Sequence, residues 1–223
     1  MKHRNQTVAG IAFLVLFSIT TVSVFSGLSE SLDQTLSLTV YNANPGPVVT
    51  NLFVLLSEYG REWFWIPFVA MMLVVGSKET RLLAIELALL FAIGILIGDV
   101  LKAISFRARP FETLAGITAR VPIDTDSSYP SGHALIVSIG AVFTLTKLTR
   151  RWVASLLTLE AGLVCYSRVF VGVHYPLDVA AGVFLGISIA FLGSSALQRY
   201  AAHWLEALEY LISKTLGPGP LKL

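Results

Sequence analysis

Several apolar runs of close to 20 residues, broken by short polar stretches, constrain this chain more than any other feature. A helix rises 1.5 Å per residue, so about 20 apolar residues match the roughly 30 Å hydrocarbon core of a bilayer. Composition agrees. Of 223 residues, 55% are hydrophobic and 13% charged, against about 25% charged in a soluble domain, and mean hydropathy is +0.73. The expected class is all-α, a single membrane-embedded domain over 1–223 built as a six-helix bundle. Its spans fall at 8–27, 63–76, 82–104, 134–148, 152–170 and 179–197. The second run covers only about 21 Å and is expected to recruit flanking residues. The first, with Lys2 and Arg4 ahead of it, also fits a signal peptide. Its apolar stretch exceeds the roughly 7–15 residues of a signal core, so a retained helix is expected.

The stretch 45–60 is different. Pro47 suits a first helical turn, and Val48, Val49, Leu52, Phe53 and Leu56 fall at helical spacing, with Thr50, Asn51 and Ser57 on the other side. It is too short to span. An interfacial amphipathic helix is expected, with a re-entrant piece as the alternative. The tail after Leu197 is mixed and is expected to be a loose end.

Lysine and arginine set the orientation. With the N-terminus inside, ten of them fall on inner segments and six on outer ones, namely Arg61, Lys102, Arg107, Arg109, Arg120 and Arg168. The positive-inside rule then puts both termini in the cytoplasm, in a cell membrane. A net charge of +2 without a dense basic block excludes a nucleic-acid partner. Cys165 has no internal partner and is expected to pack. Oligomeric state is not legible.

Three outer stretches carry the chemistry: Lys102-x6-Arg109-Pro110, Pro130-Ser131-Gly132-His133, and Ser167-Arg168-x5-His174-x3-Asp178. Lys102 and Arg109 are seven apart, which puts them on one stripe of the third span or its extension before Pro110 stops it. Lysine brings a point charge and arginine a fork suited to phosphate oxygens. The bland alternative is a pair of snorkelling interfacial residues, which also suits Arg107. Asp99 could neutralise Lys102. In the second stretch Ser131 suits an N-cap, Gly132 allows close backbone approach, and free amides at a helix start bind anions, with His133 facing the same place. The alternative is an ordinary cap beside an interfacial histidine. In the third, Asp178 can reach back to His174, fixing its tautomer and leaving the other nitrogen as a nucleophile. A capping carboxylate beside a surface histidine is the alternative. Cations able to fold around a dianion, with two imidazoles, point to phosphoryl transfer at a membrane.

These three stretches resemble, without departure, the signature of the type-2 phosphatidic acid phosphatase family, over the roughly 77 residues from Lys102 to Asp178. The resemblance implies a membrane lipid phosphatase. By position it implies that His174 attacks phosphorus, that Asp178 orients His174, and that His133 protonates the departing oxygen. Lys102, Arg109, Ser131, Gly132 and Arg168 would bind the phosphate oxygens. No metal and no other cofactor is expected, because three cations already supply the charge that magnesium would. The partner is a lipid phosphate: a polyprenyl diphosphate, phosphatidylglycerol phosphate, phosphatidic acid or diacylglycerol diphosphate. A phosphotransferase with the same intermediate and a non-catalytic lipid-binding protein on the same scaffold are the alternatives. Asp124 and Asp126 are expected to be loop or lid residues, and Glu160 is unexplained.

Overall fold

The computed structural model describes residues 2–43 and 45–216. Among these, every regular element is a helix: α1 (Lys2–Phe25), α2 (Glu30–Tyr41), α3 (Pro47–Tyr59), α4 (Glu62–Val75), α5 (Lys78–Ser105), α6 (Pro110–Thr113), α7 (Gly132–Lys147), α8 (Arg151–Phe170) and α9 (Pro176–Leu216). Helices α1, α5, α8 and the first part of α9 are long and apolar enough to cross a bilayer, and α4 and α7 are shorter apolar helices. This is an all-α membrane protein of several apolar helices.

Helix α7 runs through the middle. Most of its side chains are buried, and it packs against α5, α8 and α9. The main core gathers Trp65, Leu87, Leu90, Leu135, Ile139, Phe143 and Leu185. Two glycines let α9 lie directly on α7. A Cβ on Gly182 would fall 2.5 Å from the Ser131 carbonyl oxygen, and one on Gly186 would fall 2.5 Å from that of Leu135. Such small-x-x-x-small spacing brings helix backbones together in apolar surroundings. Here it sets the start of α7, with His133, beside the start of α9, with Asp178.

Several expectations need correction. Helix α4 stays at 14 residues, with Pro67 inside, and recruits nothing beyond Glu62. The tail past Leu197 is not loose up to Leu216: α9 continues, and Ala201 and Leu205 pack on Ile85. Residues 217–223 lie outside the described part. On α3 the polar side chain Ser57 is fully buried, because it faces Arg168 rather than solvent. Helix α2 fills a stretch to which the apolar pattern assigns no element. Its buried face is Asp33, Ser37 and Tyr41, spaced four apart but mostly polar, so hydrophobic periodicity does not register it.

Candidate active site

The three charged stretches meet at one end of the bundle, but not along one helical stripe. Helix α5 ends at Ser105, Phe106 turns left-handed with φ 45°, and Pro110 opens α6 rather than stopping α5. Lys102 therefore sits on a helix and Arg109 in the turn after it. Loop 106–109 is tied to loop 126–130. The Ser128 amide donates to the Arg107 carbonyl (2.9 Å) and the Ser105 hydroxyl to the Tyr129 carbonyl (2.7 Å). Arg120 pins the intervening loop by donating to the carbonyls of Phe170 and Tyr41, each at 2.9 Å.

Two adjoining cavities of about 270 Å³ each open between these segments. One is lined by Lys102, Gly132, His133, His174 and Arg61, the other by Arg168 and Ser57, and both by His133, Asp124 and Glu62. Arg109 and Arg168 are almost wholly buried. Arg168 donates through Nη1 to the Ser57 carbonyl (2.9 Å) and hydroxyl (2.7 Å), while its Nε has no partner although buried. Arg168 is thus anchored to α3 while it lines the second cavity.

Carboxylates from the loop stand on the cations. Asp126 accepts from Lys102 Nζ at 2.7 Å and from Arg109 Nη2 at 2.5 Å. Asp124 lies 3.6 Å from Arg109 and 3.8 Å from Arg168. Burial raises the Asp126 carboxyl, but the hydrogen bonds and charges of Lys102 and Arg109 outweigh it and hold the group below the usual carboxylate range. The two Asp126 oxygens thus each take a donor from a different cation. Lys102 pairs with Asp126 and not with Asp99, which is exposed and lines the cavity.

His174 is 2% exposed. Its Nδ1 lies 2.8 Å from the Ser128 carbonyl. A carbonyl only accepts, so Nδ1 carries the proton and Nε2 is left with its lone pair. Burial first, then the cations Arg168, Arg109 and Lys102, hold the imidazole well below its usual pKa range. A neutral, oriented imidazole in an anion cavity can act as a nucleophile. Asp178 is fully buried with Oδ2 3.7 Å from Nδ1, beyond hydrogen-bond reach, while that oxygen accepts the Tyr175 amide at 2.9 Å. The direct partner of Nδ1 is the Ser128 carbonyl. Gly132 and His133 reach the cavity. Ser131 does not: it is fully buried and its hydroxyl caps α7 at the Ala134 amide (3.5 Å).

Sequence reasoning misses Arg107 and Asp33. Arg107 is not a snorkelling residue. Its guanidinium bonds Asp178 with one nitrogen and Asp33 with the other, the latter at 2.6 Å, and it stacks 4.1 Å over Tyr175. Asp33 also accepts the Leu177 amide at the start of α9 (2.9 Å). Neither charge stands out in the sequence, since Glu30 lies three positions from Asp33 and Arg109 two from Arg107, and with 74 positions between the pair no local spacing joins them. Among the described residues, no three His, Cys, Asp or Glu side chains gather to hold a metal ion. Glu160 has both carboxylate oxygens buried without a partner and lines neither cavity.

Apolar helices of membrane-spanning length thus carry, at one end of the bundle, clustered cations beside a buried imidazole. The PAP2 superfamily matches residues 83–201. An undecaprenyl-diphosphatase of Sulfolobus acidocaldarius is 48% identical over 68% of this chain and 72% of its own. The bacitracin transport permease protein BcrC of Bacillus licheniformis is 30% identical over 70% and 78%. The crystal structure of a transmembrane PAP2-type phosphatidylglycerolphosphate phosphatase from Bacillus subtilis superposes with a TM-score of 0.67 at 22% identity, covering 85% of this chain and 96% of that one. The chain belongs to the PAP2 superfamily, among its membrane lipid phosphatases.

Proposed function

We propose that this protein hydrolyses a polyprenyl diphosphate to the monophosphate and inorganic phosphate, at the outer face of a membrane, through a phosphohistidine on His174. The observation that carries the reading is the meeting of Lys102, Arg109 and Arg168 around carboxylate oxygens beside His174. Similarity to an undecaprenyl-diphosphatase supports the substrate class. A head group displaces Asp126 and Asp124 from the cations. His174 Nε2 attacks the terminal phosphorus, Lys102, Arg109, Arg168 and the Gly132 amide hold its oxygens, and His133 protonates the oxygen that leaves. Water, activated by His133, then cleaves the nitrogen–phosphorus bond. Fixed cations aimed at developing charge supply the electrostatic part of the acceleration.

Six crossings, by α1, α4, α5, α7, α8 and α9, suit this arrangement. Helix α7 at 16 residues is about 24 Å long, short of the hydrocarbon core, and the protein around it takes the place of lipid. Helix α3 turns Val48, Leu52 and Leu55 outward and suits a place along the membrane surface. The excess of lysine and arginine at the opposite end supports an outward-facing site. A cysteine placed at Asp124 in a Cys165→Ser background should then react with an impermeant maleimide added to intact cells. Labelling only after lysis would reverse the orientation.

The function is tested by offering the purified protein a panel of diphosphate and monophosphate lipids, with and without chelator. Phosphate release from the polyprenyl diphosphate, unchanged by EDTA, is expected. Loss on chelation with restoration by magnesium would contradict the three-cation account, and label transferred to an added alcohol instead of water would make it a phosphotransferase.

Asp33 and Arg107 position Asp178 beside His174. Asp33→Asn is expected to lower kcat by about tenfold with little change in KM, since one charged hydrogen bond of roughly 1.5 kcal/mol is weakened. In an Arg107→Gln background the same change should cost almost nothing further. Full additivity of the two losses would show that they act separately.

A further inference from the structure

Arg61 lies outside the three outer stretches and outside the family match, at the N-cap of α4. Its side chain is 30% exposed and pairs with Glu62. It lines the same cavity as Lys102, His133 and His174. Its Nη1 lies 3.1 Å from the point that a Cβ on Gly132 would occupy, so the guanidinium sits against the backbone that starts α7. Arg61 thus joins Lys102 as a second cation lining this cavity, and the loop carboxylates Asp124 and Asp126 pair with Lys102, Arg109 and Arg168 rather than with it.

The chemistry gives that position a meaning. In-line displacement sends the leaving oxygen away from His174, toward His133. The bond between the terminal phosphorus and the bridging oxygen breaks as the bond to Nε2 forms, and the electron pair stays on the bridging oxygen. In a monophosphate ester that oxygen is attached to carbon. In a diphosphate it is attached to a second phosphorus carrying further anionic oxygens, which become the head group of the lipid monophosphate product. Lys102, Arg109 and Arg168 are taken up by the terminal phosphoryl group. The geometry points to Arg61 as the residue that holds the second, departing phosphate of a lipid diphosphate and so sets the preference for diphosphate over monophosphate head groups. This rests on the reading of the cavity as a lipid phosphatase site. Glu62 keeps the guanidinium near the cavity mouth until a more strongly charged oxygen pair arrives.

The test compares wild-type protein with Arg61→Gln and Arg61→Lys, in detergent, on a polyprenyl diphosphate and on phosphatidic acid, and measures inhibition by inorganic pyrophosphate against inorganic phosphate. For Arg61→Gln, kcat/KM for the diphosphate should fall on the order of 30-fold, the loss expected for a charged hydrogen bond to an anion. The value for phosphatidic acid should fall by less than about threefold. Pyrophosphate should weaken as an inhibitor far more than phosphate, and Arg61→Lys should recover part of the difference. Equal losses on both substrates and both inhibitors, or no loss on either, would overturn the assignment of Arg61. Wild-type protein that releases phosphate from neither lipid would instead overturn the reading of the site itself.

Discussion

Replacing His174 with alanine is expected to lower kcat/KM for a polyprenyl diphosphate by on the order of 10⁵-fold, to the background rate. Removing a nucleophile in a concerted constellation costs about as much as removing all of its members. The cations would still bind the head group, so the variant should retain affinity for product or for inorganic phosphate. A His174→Asn variant separates chemistry from packing. Its amide can still donate to the Ser128 carbonyl that His174 Nδ1 engages at 2.8 Å, but it offers no nucleophilic lone pair. It should be as inactive as the alanine variant while melting closer to the parent. Residual activity above a few per cent in either variant would mean that another group takes the phosphoryl.

The second large effect is expected at Arg168. Its guanidinium is held by the Ser57 carbonyl and hydroxyl, and its buried Nε has no partner. Arg168→Lys keeps the charge and loses the fork. Lysine's ammonium cannot hold Ser57 and present a second donor to phosphate in the same geometry. A loss on the order of 10²–10³-fold in kcat/KM is expected, about 3–4 kcal/mol of barrier. Ser57→Ala should cost less, about tenfold, because the charge remains and only its anchor is weakened. Phosphate release measured on all three proteins checks this order, and a lysine variant as active as the parent would mean that charge alone suffices at this position.

The residues of the three charged stretches were legible because titratable side chains stand out in a chain this apolar, and because counting spans brings all three to one end. The family resemblance then named them together. What the pattern could not carry is how they are held. Lys102 and Arg109 keep company through a turn at Phe106, not through helical spacing. Asp126 reads as a polar loop residue until the fold lays it on two cations. Asp33 lies on a helix whose buried face is polar, so no apolar stripe announces it, and its partner Arg107 resembles any arginine near a span end. Ser131 matches a phosphate-binding position, and its hydroxyl also accepts the Ala134 amide at 3.5 Å. The length of α9 was underestimated because residues past Leu197 lose the continuous apolar character of a span, yet Ala201 and Leu205 still find Ile85. For Asp126, Asp33, Arg107 and the end of α9, a long-range partner rather than local spacing decides the role.

The central claim is that His174 becomes transiently phosphorylated. It is tested most directly by mixing the protein with a polyprenyl diphosphate labelled with ³²P at the terminal phosphate, quenching within milliseconds at alkaline pH, and mapping the label. The account predicts an alkali-stable, acid-labile label on the peptide containing His174, absent in His174→Asn. Turnover with no protein-bound label, and ¹⁸O from water entering phosphate by direct attack with inversion at phosphorus, would contradict it.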